Sequence, residues 1–210
     1  STMKLTIRTP NRIDLSGGTL DIYPLYIFEN GACTVNAAIS VWSEVQLESR
    51  SDGRFSIYAK DLDETVELAN LYDSPSHSTL DFLVNVLRFY PPRQGLNIMT
   101  RNDAPKGSGL GASSALLIAL SMALNLFNRT YYEGDKIIDY SANLEAQSIE
   151  IPTGKQDYYP ALYGGINALH FQIKGVQKET LEVSETFLTK LNQSLILSFT
   201  GESHFSGTNN

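Results

Sequence analysis

The sequence predicts an α+β fold. Segments of strand character fill the first half of the chain and helical periods dominate the second, so strands and helices do not alternate as they would along a parallel sheet. A glycine-rich turn also feeds directly into a helix that is apolar nearly all round, the mark of a buried helix.

The strands come first. Residues 4–9 alternate, with Leu5 and Ile7 on one face. Residues 34–47 form a long β-branched stretch around Trp42. Strands over 54–59 and 65–68 follow, and Asp52-Gly53 predicts a hairpin turn. The period then changes. Leu80, Leu83, Val84 and Leu87 recur at i, i+3, i+4 and i+7 and predict a helix over 78–90, stopped by Pro91-Pro92. Residues 95–100 read as another strand. The apolar run predicts a helix over 113–127, with a second over 135–149. A short third, over 153–163, would open on a reciprocal capping box of Thr153 and Gln156 and end at Gly164-Gly165. Residues 166–173 and 195–200 read as strands around a short helix near 185–192.

At 210 residues the chain holds one large domain, or one domain and a fragment. With 16 Lys and Arg against 23 Asp and Glu it carries a net charge of −7, a poor match for nucleic acid, whose affinity comes mainly from phosphate neutralisation. One cysteine, Cys33, excludes an intrachain disulfide and a cysteine-based zinc cage. It agrees with a reducing, cytoplasmic setting. The apolar stretch 115–127 is too short for a bilayer, which needs roughly 20 residues, and no charged-then-apolar leader is read at the start. No membrane partner is expected. His77, His170 and His204 lack ligand-like spacing, and His170 reads as packing within an apolar strand.

The strongest local signal is Pro105-Lys106-Gly107-Ser108-Gly109-Leu110-Gly111-Ala112-Ser113-Ser114. Its glycines let the backbone turn sharply and approach a ligand. The helix that follows presents unpaired N–H groups and the positive end of its dipole, and the three serines add hydroxyls. Together these predict a polyphosphate cradle. A Walker A loop needs Gly-Lys-Ser/Thr at the helix start, which is absent. A dinucleotide fingerprint is nominally met by Gly107, Gly109 and Ala112 but lacks its βαβ unit. The plain alternative is a turn that merely caps a buried helix.

With this loop the chain resembles the GHMP kinases (galactokinase, homoserine kinase, mevalonate kinase, phosphomevalonate kinase), whose hallmark is Pro-x-x-x-Gly-Leu-Gly-Ser-Ser-Ala. Pro105, Gly109-Leu110-Gly111, Ser113-Ser114 and Ala115 match, with Ala112 a small substitution. Two further stretches agree in order. Residues 9–21 (Thr-Pro-Asn-Arg-Ile-Asp-Leu-Ser-Gly-Gly-Thr-Leu-Asp) resemble the N-terminal substrate motif, and Thr153-Gly154-Lys155-Gln156-Asp157 resembles the segment with the catalytic aspartate. Gly17-Gly18-x-x-Asp21, with Gly-Lys-Gln-Asp and a following Gly-Gly, is similar to heptose-7-phosphate and fucose kinases, which phosphorylate an anomeric hydroxyl. Tyr158 departs from relatives that often carry Gln there.

The resemblance implies a ribosomal protein S5 domain 2-like N-terminal domain over 1–174, which binds ATP and sugar. The start of a ferredoxin-like C-terminal domain would follow over 175–210. Family members usually carry a third glycine-rich motif in that C-terminal domain, and none occurs before Asn210. Either the chain is cut short or the protein is a degenerate relative, and an exposed apolar surface is expected where the rest would pack. A homodimer is the other assembly considered.

The resemblance also implies roles. Ser114 and Glu145 would hold Mg²⁺, a cation suited to a few oxygen ligands plus phosphates. Glu145 shares a helical stripe with Ile138, Ala142 and Ile149; otherwise it is a rim residue of a tilted helix. Asp157 would take or orient the proton of the sugar hydroxyl; otherwise it caps a helix or faces solvent. Arg12 would hold Asp157 and offset charge on the transferring phosphoryl; otherwise it is a surface arginine. Asp21, with Gly17, Gly18, Gly154 and Lys155, would bind the sugar or sugar phosphate; otherwise Gly17-Gly18 is a turn. Lys106 and Lys155 either steer phosphates or simply solvate. Tyr158, Tyr159 and Tyr163 fit either core or pocket. The implied activity is MgATP-dependent phosphorylation of a sugar. The alternatives are a non-catalytic sugar- or nucleotide-binding module and a related ATP-dependent enzyme of isoprenoid synthesis, against which Gly-Gly-x-x-Asp argues.

Overall fold

The computed structural model describes residues 2–74, 78–150 and 153–203; His77 and His204 lie outside them. The strands are β1 (Lys4–Ser16), β2 (Ala32–Arg50), β3 (Phe55–Ala59), β4 (Glu64–Leu68), β5 (Gly95–Asn102), β6 (Ile166–Gln172) and β7 (Gly175–Thr180). The helices are α1 (Leu25–Phe28), α2 (Asp81–Phe89), α3 (Ala112–Asn128), α4 (Gly134–Ile149), α5 (Tyr158–Tyr163) and α6 (Glu185–Ser194). The expected α+β class holds: seven strands form one sheet, with α3 packed on β1 and β2 and against α2, α4 and α5.

β2 organises the sheet. β1 runs antiparallel along one of its edges, from Lys4 opposite Glu48 to Ser16 opposite Val35. The other edge is divided. β5 pairs with Ser43–Arg50 and β6 with Ala32–Ala37, both antiparallel. Between the two lies a bulge: Pro10 pairs with Trp42 but Asn11 with Ile39, so β2 carries extra residues there, bending the strand.

Asp52-Gly53 makes a turn but not a hairpin. β3 does not fold back on β2; β5 inserts between them, antiparallel to β2 and parallel to β3, with Ile57 opposite Ile98. Leu96 and Ile98 are buried, and a strand that apolar belongs in the middle of a sheet. Asp52 still holds the connection, accepting from the Arg54 N–H at 3.1 Å and from Arg50 at 2.9 and 2.6 Å. At Gly95 a Cβ would overlap the Arg54 backbone, so the close approach of β5 requires glycine there.

α3 is the core helix. Leu117, Ile118, Ala119, Leu120, Ala123 and Leu124 are all fully buried. Ile118→Val is expected to cost about 1 kcal/mol, the usual effect of deleting one buried methylene. A denaturation midpoint with unchanged slope checks it.

Four local expectations change. The third helix is α5, from Tyr158, and the capping box does not form. Gln156 is drawn into tertiary bonds instead, its side-chain amide donating to Gly18 O at 2.7 Å and its N–H to Asp21 Oδ2 at 3.0 Å. β7 carries no sequence signal because its residues are mostly polar, with Val176 alone reaching the core; it pairs with β6 along residues 175–180. His170 does not pack in the core but meets Glu179 of β7 at 3.1 Å. Residues 195–200 are not a strand, since no strand of the sheet pairs with them. Ile196 and Leu197 there are exposed, as are Phe187 and Leu188 of α6, whose start is capped by the Ser184 hydroxyl accepting from the Phe187 N–H. Among the described residues no helix is long and apolar enough to cross a membrane.

Candidate active site at the glycine-rich loop

The loop before α3 is built on left-handed glycines: Gly107, Gly109 and Gly111 have φ of 71°, 74° and 69°. Gly111 is the N-cap of α3, and no side chain caps the helix. The first intrahelical bond is Ala115 N–H to Gly111 O at 3.0 Å, so the amides of Ala112, Ser113 and Ser114 precede it and lack helical partners. They border a cavity of about 410 Å³, which the loop does not plug.

Asp157 lies against this loop. A Cβ on Gly111 would stand 3.1–3.2 Å from the Asp157 carboxylate group, so glycine there answers both the positive φ and the close approach. Asp157 sits at the N-cap of α5 but makes no capping bond. Its Oδ1 accepts instead from Arg12 Nε at 2.6 Å. Arg12 also donates from Nη1 to Gly109 O at 2.6 Å, and its backbone N–H to Leu110 O at 3.0 Å. One arginine on β1 thus ties the loop to the aspartate. Burial opposes its charge, but Asp157, with Asp14 and Asp21, outweighs burial and raises the Arg12 pKa.

On the other side of the α3 start stands Glu145 of α4. Ser113 Oγ donates to its Oε1 and Ser114 Oγ to its Oε2, both at 3.1 Å, and the Tyr158 hydroxyl donates to Oε2. Burial raises the Glu145 pKa, partly offset by these hydroxyls, and burial with the neighbouring Glu145 charge raises that of Tyr158. Tyr158 and Tyr159 prove to be buried, whereas Tyr163 is exposed, with Lys178 over its ring and its hydroxyl on Asp135.

The third cluster joins the first motif to the Asp157 segment. Gly17 has φ 100°, and a Cβ there would overlap the Cys33 carbonyl. Gly18 receives the Gln156 amide, and Gln156 O accepts from Asn36 Nδ2 at 3.1 Å. Asp21 is only 4% exposed and Gly154 packs directly on its carboxylate. Burial, with Asp157 adding to it against the Gln156 N–H, raises the Asp21 pKa to about 6. A folded pKa above the unfolded 3.8 means the native state binds the extra proton. Stability from this group is therefore complete below about 4 and lost as pH rises through about 6. Asp21→Asn should flatten that fall in a pH series of melting temperatures.

The Lys155 ammonium turns to α4, where it pairs with Asp139 at 2.8 Å. Lys106 lines the cavity. No motif marks the cavity's far wall, where Asp61, Leu62, Thr79, Phe82 and Asn102 come from the β3–β4 turn, the start of α2 and the end of β5. None of these carries a local motif; only the fold assembles them.

A glycine-built cradle at a helix start, with a carboxylate at its lip, is the feature to set beside known proteins. Residues 78–165 match the family described as "GHMP kinases N terminal domain". The chain is 30% identical over 207 residues to the D-glycero-alpha-D-manno-heptose 7-phosphate kinase of Campylobacter jejuni, covering 93% of this chain and 60% of that protein. It is 29% identical over 124 residues to a Haemophilus influenzae galactokinase, covering 56% of this chain and 30% of that one. Its fold superposes with a TM-score of 0.81 and 25% identity on a D-glycero-D-manno-heptose 1-phosphate kinase from Bacteriodes thetaiotaomicron, covering 90% of this chain and 63% of that one. These relatives are sugar kinases, and the chain spans less than two thirds of their length.

Proposed function

We propose that this chain supplies the ATP- and sugar-binding part of a kinase that transfers the γ-phosphoryl group to a sugar hydroxyl, the anomeric hydroxyl of a heptose 7-phosphate or fucose-like sugar. One observation carries this reading: the Asp157 carboxylate abuts the helix-terminal loop at Gly111, with Arg12 bonded to both. The amides opening α3 would hold the phosphates. Asp157 would accept the hydroxyl's proton, and Arg12 would offset charge on the transferring group. Asp21, beside Gly17, Gly18 and Gly154, is the proposed sugar contact.

The residues present also fit Mg²⁺. Glu145 is a partly buried carboxylate with no cationic partner among the described residues; its neighbours are hydroxyls, and an all-oxygen set suits this ion. Among the described residues no group of three or more His, Cys, Asp or Glu is placed to hold a metal ion, so Ser114 and Glu145 would be the protein ligands, the rest coming from phosphates and water. The bound ion would neutralise phosphate charge.

The test is phosphate transfer from ATP to a panel of heptose 7-phosphates and fucose, using the full-length protein. Phosphorylation of one acceptor supports the reading. Nucleotide binding with no transfer to any acceptor would overturn it in favour of a binding module.

A further inference from the structure

Glu145 is held from an unexpected side. Its Oε1 takes the Ser113 hydroxyl and its Oε2 the Ser114 hydroxyl, both of which belong to the loop end of α3. The third donor is the Tyr158 hydroxyl, from the first residue of α5. Tyr158 is fully buried, among the largest side chains so enclosed, and its backbone follows Asp157 directly. Its hydroxyl therefore cannot turn to water, and its bond to Oε2 is the one donor fixed from outside the loop. Ser113 and Ser114 also lie at the cavity wall, where a nucleotide would compete for them. When those serines turn to phosphate or metal, Tyr158 remains as the group that sets the carboxylate's direction.

We infer that Tyr158 is a positioning residue for the divalent-cation site. It aims the Glu145 carboxylate at the cavity and couples it, through one residue of backbone, to the carboxylate of Asp157. This rests on the metal reading of Ser114 and Glu145 given above. Partners that orient a metal ligand typically contribute 10- to 100-fold in metal affinity or activity. Tyrosine suits the task because its ring packs in the core while its hydroxyl reaches the carboxylate behind the cavity wall. The same bond also ties α5 to α4, so a shift at the cation would be felt at the base of the Asp157 segment.

The experiment is a double-mutant cycle on the protein saturated with a non-hydrolysable ATP analogue, with Mn²⁺ binding read by electron paramagnetic resonance. Tyr158→Phe keeps the ring and removes only the hydroxyl. It is expected to weaken Mn²⁺ binding by 10- to 100-fold, with nucleotide affinity measured in EDTA and melting temperature nearly unchanged. Glu145→Gln should weaken Mn²⁺ at least as much, and adding Tyr158→Phe to it should change nothing further, since the tyrosine acts through the carboxylate. Unchanged Mn²⁺ affinity in Tyr158→Phe beside a weakened Glu145→Gln overturns the inference alone. Equal affinity in Glu145→Gln and the unsubstituted protein overturns the metal reading and this inference with it. Additive effects in the double variant also overturn it. Were Tyr158→Phe to fail to fold, Tyr158→Trp, which keeps an aromatic body and a donor, provides the second comparison. Its Mn²⁺ affinity should fall while the sign of the cycle with Glu145→Gln stays the same, and additivity there overturns the inference equally.

Discussion

Asp157→Asn is expected to lower turnover by at least about a hundredfold, the lower end of what a positioned proton acceptor contributes. The substitution is nearly isosteric, so the close packing against Gly111 survives. Nucleotide affinity should change little, because the loop keeps its own support: Arg12 still donates to Gly109 O and its N–H to Leu110 O. Steady-state rates with a phosphate acceptor, beside a nucleotide titration, separate the two. Undiminished turnover would remove Asp157 from the chemistry and leave it a role only as the partner of Arg12.

The second large effect is expected at Gly154. A Cβ there would overlap both oxygens of Asp21, and Asp21 cannot retreat, being buried and bonded to the Gln156 N–H. Overpacking of this kind costs about 1–3 kcal/mol. The strain is best relieved by displacing the backbone from 154 to 157, which carries Asp157. A shift of about 1 Å at a reacting group costs on the order of a hundredfold in rate. Gly154→Ala should therefore lower the melting temperature and depress kcat/KM for the sugar together. Loss of stability with intact kcat/KM would show that the two motifs are packed together without being coupled in function.

What could be read from the sequence was whatever has a local cause. α3 announced itself through its apolar run and α2 through its period, and Gly107, Gly109 and Gly111 through their need for positive φ. The residues of the three motifs could be named as candidates, but their meeting is tertiary. Arg12 and Asp157 are 145 positions apart, and only the packing of α5 on β1 brings them within bonding distance. Where local and tertiary preferences competed, tertiary ones won. Gln156 left its capping box for Gly18, and Asp52-Gly53 turned the chain without pairing its flanking strands. Tyr158 could not be assigned because a buried tyrosine looks the same in sequence whether its hydroxyl meets a carboxylate or a carbonyl. Lys155 was drawn toward the site by its neighbours in the motif, yet its long side chain reaches Asp139.

The divided edge of β2 has a mechanical meaning. Ser43, where β5 pairs, donates to Ala112 O at the start of α3, while Asn36, where β6 pairs, donates to Gln156 O beside Asp157. The proposed donor and acceptor sides are thus pinned to one continuous ribbon, seven positions apart, as two jaws are fixed to the bar of a caliper. Lengthening or shortening that bar by a single residue would reverse which side chains face inward on one jaw. The gap across which a phosphoryl group would travel is in this sense a dimension of β2, inherited by every substrate the jaws admit.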